Sequence, residues 1–254
     1  MAVQWKTEEY TVNGNKTQVL IAGQGEPVMF WHGAGTAGGW DFLAPLTEQF
    51  KVYLPIHLGF GGSADDPGIT GIQDYVMHYL DLLDLLKIGK FSAVGHSMGG
   101  WIGAQFATQH ADRLKKLVLI APAGLHDKEH PATDLFAVKP EELVPYLAEN
   151  PAALGPPPDV TIDFIVNSYR EQTSWARVAW QRNYDPKLAK WLHRITAPTL
   201  LVWGKQDKIC PAAQAPVWQK LIPGSTVRIF DGAGHLVTHE KPESMRAIAE
   251  FIAT

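Results

Sequence analysis

The chain has 254 residues, 46% of them hydrophobic and 19% charged, with a formal net charge of −4 and one cysteine. That composition fits an ordinary globular domain and excludes a polybasic nucleic-acid binder, a disulfide scaffold and a cysteine-built metal centre. No stretch nears the roughly 18 consecutive apolar residues of a membrane span and no charged-then-apolar leader opens the sequence, so a cytoplasmic protein without nucleic-acid or membrane partners is expected.

Residues 10–12 and 18–22 flank Asn13-Gly14-Asn15, a turn signal that predicts an opening antiparallel hairpin. Short apolar runs follow at 27–31, 52–56, 91–94, 117–121, 200–203 and 227–230. Between most of them lie segments with apolar residues three or four apart, at 41–49, 72–86, 98–110, 211–221 and 242–252. Strands alternating with amphipathic helices predict a parallel sheet buried on both faces. Residues 125–194 break the rhythm, with helical stretches, a Pro156-Pro157-Pro158 run and no convincing strand. They read as a helical cap of residues 125–194 inserted into a core of residues 1–124 and 195–254. Its aromatics, Trp175 and Trp180 among them, pack the small layer singly; as a group they suit a lid over the sheet's carboxyl edge, with Trp175 and Trp180 as candidate substrate contacts.

The segment Gly95-His96-Ser97-Met98-Gly99 stands between an apolar run and an amphipathic one, the setting of a nucleophile elbow that pushes Ser97 outward at a strand-to-helix turn. A serine hydroxyl is a weak nucleophile at neutral pH and needs a base held by a third group. His235, in the loop after the 227–230 run, is the candidate base. Asp207, after 200–203, is the candidate orienting acid, with Asp127 and Asp231 as rivals. The amides of Met98 and Ala34, with Gly33 as an alternative, are candidate donors to a developing oxyanion. Gly33-Ala34-Gly35-Thr36-Ala37-Gly38 also satisfies the dinucleotide-binding pattern, but Pro55-Ile56-His57-Leu58 offers no acid for a ribose, so no nicotinamide cofactor is expected. His235 and His239 could form a helical metal pair, yet Gly234 and the loop setting argue against a helix, and no metal is expected.

Together, His32-Gly33-Ala34-Gly35, Gly59-Phe60-Gly61-Gly62-Ser63, the Ser97 segment, Trp203-Gly204-Lys205-Gln206-Asp207 and Gly234-His235 resemble the α/β-hydrolase superfamily over essentially the whole chain. The resemblance implies a mostly parallel eight-stranded sheet flanked by helices, a cap inserted after the sixth strand, and Ser97, Asp207 and His235 as nucleophile, acid and base. Relatives usually carry an aspartate where His57 stands; His57 is therefore a candidate for the substrate pocket, with Gly33. The expected activity is hydrolysis of small or medium carboxylic esters by a monomer or homodimer. Alternatives are a lactonase, a carbon–carbon hydrolase of aromatic ring-fission products, and a ligand-sensing protein of the same shape.

Overall fold

The computed structural model describes residues 2–37, 39–139, 142–156 and 159–254. Asn13 and Gly14 take positive φ (50° and 81°), the primed-turn geometry that matches strand twist, and join β1 (Lys6–Val12) to β2 (Asn15–Ala22). Six further strands follow: β3 (Pro27–Trp31), β4 (Lys51–Pro55), β5 (Phe91–His96), β6 (Leu114–Ile120), β7 (Thr199–Gly204) and β8 (Thr226–Phe230). Their order in the sheet is β1-β2-β4-β3-β5-β6-β7-β8. β2 runs antiparallel to both neighbours, and β4 through β8 are mutually parallel. This is the mostly parallel eight-stranded sheet expected.

The helices, in chain order, are α1 (Ala44–Thr47), α2 (Ile72–Leu85), α3 (Met98–Gln109), α4 (Val144–Leu147), α5 (Ile162–Ala179), α6 (Leu188–Trp191), α7 (Ala215–Leu221), α8 (Val237–Glu240) and α9 (Pro242–Ala253). β5 and β7 are buried almost end to end, because helices cover both sheet faces there. β8 differs from the expectation of burial on both faces: Arg228 is exposed and Ile229 is 47% exposed, since β8 is an edge strand. The helix expected at 41–49 is a 3₁₀ turn at Asp41–Leu43 and the single turn α1, where Pro45 enters without an N–H to donate. Likewise Pro211 is extended, and a 3₁₀ turn precedes α7.

Between β6 and β7 the chain makes a long excursion whose main helix is α5. Among the described residues it contains no strand, only an isolated bridge from Tyr184 to Gly124. Pro157 and Pro158 of the proline run, and Gly38 of the glycine-rich loop, lie outside the described residues. The parallel strands point their carboxyl ends to one edge, where the loops after β3, β5, β7 and β8 converge.

Candidate functional site

Ser97 occupies the turn between β5 and α3 with φ 55° and ψ −114°, a strained conformation for a residue with a side chain. The neighbours enforce it. Its amide donates to Ile120 O (2.9 Å), and its carbonyl accepts from the amides of Trp101 and Ala123 (both 3.0 Å). The turn is tight enough that a Cβ on Gly95 would stand 2.3 Å from Gly99 O, and one on Gly99 2.0 Å from Trp31 O. Only glycine fits at either position.

His235 follows β8 and is 3% exposed; Asp207 follows β7 and is 6% exposed. His235 Nδ1 is 2.9 Å from Asp207 Oδ2, and because a carboxylate only accepts, the ring proton sits on Nδ1. The other carboxylate oxygen accepts from the amides of Ile209 (2.8 Å) and Cys210 (2.9 Å), which fixes its direction. Asp207 thus closes a local turn, as a cap residue would, and also orients the imidazole. The rivals lie elsewhere: Asp127 meets His130, and Asp231 meets Lys205 and Gln206 at the surface. A third histidine joins the group, His96 donating from Nε2 to the backbone carbonyl of His235 (3.0 Å) and so tying the β8 loop to the residue before Ser97. Burial, reinforced by His235, pushes the His96 pKa well down and keeps the ring neutral. The sequence marked His96 only as a residue of the serine segment, with no role of its own. The Ser97 hydroxyl and the His235 ring share a cavity without a hydrogen bond between them.

The loop after β3 is held by a ladder of assigned protons. His57 N–H donates to His32 Nε2 (3.0 Å), so the His32 proton is on Nδ1, which donates to Gly33 O (2.6 Å). His57 Nε2 donates to His32 O (2.8 Å), leaving Nδ1 to accept from the Tyr79 hydroxyl. The two rings stack with centroids 3.7 Å apart. Burial lowers the His32 pKa to about 4 and that of His57 well below its ordinary value, so both stay neutral. Gly33 O also accepts from Gly35 N (2.9 Å). In a trans peptide the N–H lies opposite the carbonyl, so the Ala34 N–H points away from these donors. Neither it nor the Met98 N–H, an orphan of the first turn of α3, donates to backbone elsewhere among the described residues.

Two cavities meet at Ser97 and Ala34. One, of about 290 Å³, is lined by His235, Gly33, Trp40, Leu143, Leu147 and Leu236, among others. The second, of about 20 Å³, lies toward Trp175, Leu135, Phe136 and Ile209 and has room for about one water. Gly33 and Trp175 therefore stand where a substrate contact was expected. Two expected contacts are corrected. His57 is fully buried; its amide and both ring nitrogens are consumed by His32 and Tyr79 and its carbonyl accepts from the Phe60 amide (3.0 Å), so none is left for a ligand. Trp180 is 71% exposed, packs edge-on against Phe136 and lines neither cavity. His239 sits in the single turn of α8, where the sequence argued against any helix, and its ring stacks on Phe42. Among the described residues no cluster of three or more His, Cys, Asp or Glu could hold a metal ion, and no helix is long and apolar enough to cross a membrane.

A strained serine turn at the carboxyl edge of a mostly parallel eight-stranded sheet is the layout of an α/β hydrolase. The chain belongs to the α/β hydrolase fold family, whose model matches residues 26–242. It is 31% identical over 256 residues to 2-hydroxy-6-oxo-6-(2'-aminophenyl)hexa-2,4-dienoic acid hydrolase of Metapseudomonas resinovorans, covering 91% of this chain and 84% of that protein. Among solved structures, a meta-cleavage product hydrolase from Pseudomonas fluorescens superposes with a TM-score of 0.80 at 21% identity, covering 97% of each chain. A thermophilic esterase from Thermogutta terrifontis superposes with a TM-score of 0.78 at 24% identity, covering 98% of each chain.

Proposed function

We propose that this hydrolase cleaves small or medium carboxylic esters through an acyl-enzyme on Ser97. Ser97 Oγ attacks the ester carbonyl carbon while its proton passes to His235 Nε2, the two closing to hydrogen-bonding reach around the substrate. Asp207 holds the imidazole in the productive tautomer and stabilises the imidazolium. The amides of Ala34 and Met98 receive the negative charge that develops on the carbonyl oxygen. Collapse of the intermediate breaks the bond to the alcohol oxygen, which leaves with the proton from Nε2. Water then adds by the same route, its proton taken by Nε2; collapse of this second intermediate breaks the bond to Oγ, Nε2 returns the proton to Oγ, and the carboxylic acid is released. The cap formed by residues 125–194 supplies Leu135, Leu143, Leu147 and Trp175 to the two cavities and so sets acyl size.

The observation that carries the ester reading over its carbon–carbon alternative is the lack of a fixed positive charge in the cavities, the smaller of which is lined by Asp134. No lysine or arginine lines either of them among the described residues, and burial lowers the pKa values of His32, His96 and His239. A buried carboxylate without a cationic partner is costly. An ester is neutral, whereas the 31% identical relative is named for a dienoic acid substrate. That relationship keeps the carbon–carbon reading as the second one.

The test sets p-nitrophenyl esters from acetate to octanoate against a 2-hydroxy-6-oxo-dienoate, whose chromophore disappears on cleavage. Ester kcat/KM is expected to exceed that for the dienoate, and Ser97→Ala to lose about 10⁴-fold or more. A dienoate cleaved faster than every ester, or a Ser97→Ala variant as active as wild type, overturns the proposal.

A further inference from the structure

Glu171 is a charged side chain only 8% exposed, on the inner face of α5, and its carboxylate reaches across to two loops of the core. Oε2 accepts from the Thr36 amide (3.2 Å), and Oε1 accepts from Thr36 Oγ1 (2.5 Å) and from the Gly61 amide (3.1 Å). The same helix face touches the loop after β4 at three more points. Arg170 donates to Gly61 O, Ser174 Oγ to Gly59 O (3.2 Å), and Arg177 pairs with Asp65. Those three contacts hold α5 to the 59–65 loop alone. Glu171 is the residue of this face that also grips the loop after β3.

That second grip bears on the chemistry. Thr36 lies two residues beyond Ala34, in a run of Gly33, Ala34, Gly35, Thr36 and Ala37 whose small side chains give packing little to hold. Hydrogen bonds therefore set its shape. His32 and Gly35 fix the Gly33 carbonyl at the near end, and Glu171 fixes Thr36 at the far end. A buried carboxylate that loses its donors pays a large desolvation penalty, so α5 and the two loops are expected to move as one body.

We infer that Glu171 is a positioning residue for the oxyanion hole: by holding Thr36 it aims the Ala34 N–H, and the hole is complete only while α5 is seated on the core. The inference rests on the acyl-transfer reading above, and it makes the excursion between β6 and β7 part of the rate machinery as well as of the pocket wall.

The test compares Glu171→Leu, Glu171→Gln, Thr36→Val and Arg177→Met. Three readouts are taken: kcat and KM on p-nitrophenyl butyrate, the rate of Ser97 labelling by a fluorophosphonate, and affinity for an alkyl trifluoromethyl ketone, whose adduct places an oxyanion in the hole. Glu171→Leu is expected to lower kcat and the labelling rate by about 10- to 100-fold with KM nearly unchanged, the scale of a misplaced donor. Its ketone affinity should fall in proportion. Glu171→Gln, which keeps an acceptor oxygen, should recover part of the loss, Thr36→Val should show a smaller one, and Arg177→Met, which removes one contact to the 59–65 loop but leaves α5 seated through Glu171, Arg170 and Ser174, should stay within a few-fold of wild type. A folded Glu171→Leu with wild-type kcat and ketone affinity overturns the inference, as does Arg177→Met losing as much as Glu171→Leu. If Glu171→Leu does not fold, wild-type rates in both Glu171→Gln and Thr36→Val overturn it. Absence of Ser97 labelling in the wild type would instead sink the acyl-transfer reading itself.

Discussion

Two histidine pairs flank the Ser97 turn, and they differ in what stands behind the ring. His235 has a carboxylate at Nδ1 and, among the described residues, makes no side-chain hydrogen bond from Nε2. His57 has a phenol at one nitrogen and a carbonyl at the other, and stacks on His32, whose two nitrogens are equally spoken for. The same side chain is thus a candidate base in one place and a strut in the other. The partner decides, because a carboxylate stabilises a cationic ring far more than a carbonyl or a phenol does.

The sharpest way to break this contrast is at the acid. Asp207→Asn leaves the packing in place but no longer enforces the Nδ1–H tautomer, and kcat/KM on esters is expected to fall about 10⁴-fold with the fold retained. An active Asp207→Asn variant would remove the distinction between the pairs. Next in size is the strut. His57→Leu leaves the Tyr79 hydroxyl and the His32 carbonyl buried without partners, so urea denaturation should show a loss of about 2–4 kcal/mol. Its kcat should drop far less than that of Asp207→Asn; equal losses in activity would mean that both pairs are catalytic.

Acid titration reads the buried strut directly. An ordinary histidine titrates near 6.5 in the unfolded chain, whereas burial holds His32, and also His78 of α2 beside the Thr17 hydroxyl (3.0 Å), to about 4 in the fold. Between those values the unfolded chain binds more protons. Stability is therefore full above about 6.5 and declines as pH falls toward 4, by up to about 1.4 kcal/mol per pH unit for each group. Denaturation midpoints that stay flat from pH 6.5 to 4.5 would contradict a neutral, buried ladder. The smallest effect is expected at Trp180, which lies outside both cavities: Trp180→Ala should change stability and ester kcat/KM little, within about 0.5 kcal/mol each. A tenfold rise in KM would return that residue to the substrate site.

What could be read from the chain follows from how local the signal is. The sheet and its hairpin were legible because apolar runs and the Asn13-Gly14 turn carry their periodicity within a few residues. Ser97, Asp207 and His235 each sit beside a strand end with its own short pattern, which is what let the sequence propose them; the structure brings Asp207 and His235 into contact and places Ser97 in the cavity that His235 lines. Glu171 had no such signal: its partners Thr36 and Gly61 lie 135 and 110 residues away, and nothing near it in sequence differs from an ordinary helix surface. His57 was misplaced for a related reason, since a histidine after a strand looks the same whether its nitrogens face a ligand or a buried tyrosine. The helix expected at 41–49 and the burial expected of β8 failed where position in the fold, an early proline and a sheet edge, outweighed composition.

The glycine seam at the Ser97 turn divides the molecule's room for change. Backbone atoms of Gly99 and Trp31 occupy the space that a side chain at Gly95 or Gly99 would need, so no substitution can slide the serine along the sheet edge without dismantling the crossing. Part of the cavity wall, by contrast, is built from side chains borne on the excursion, Leu135, Leu143 and Leu147 in the larger cavity and Phe136 and Trp175 in the smaller, which can be exchanged one at a time. A lineage built on this scaffold can therefore reshape its pocket while the Ser97 oxygen keeps its address.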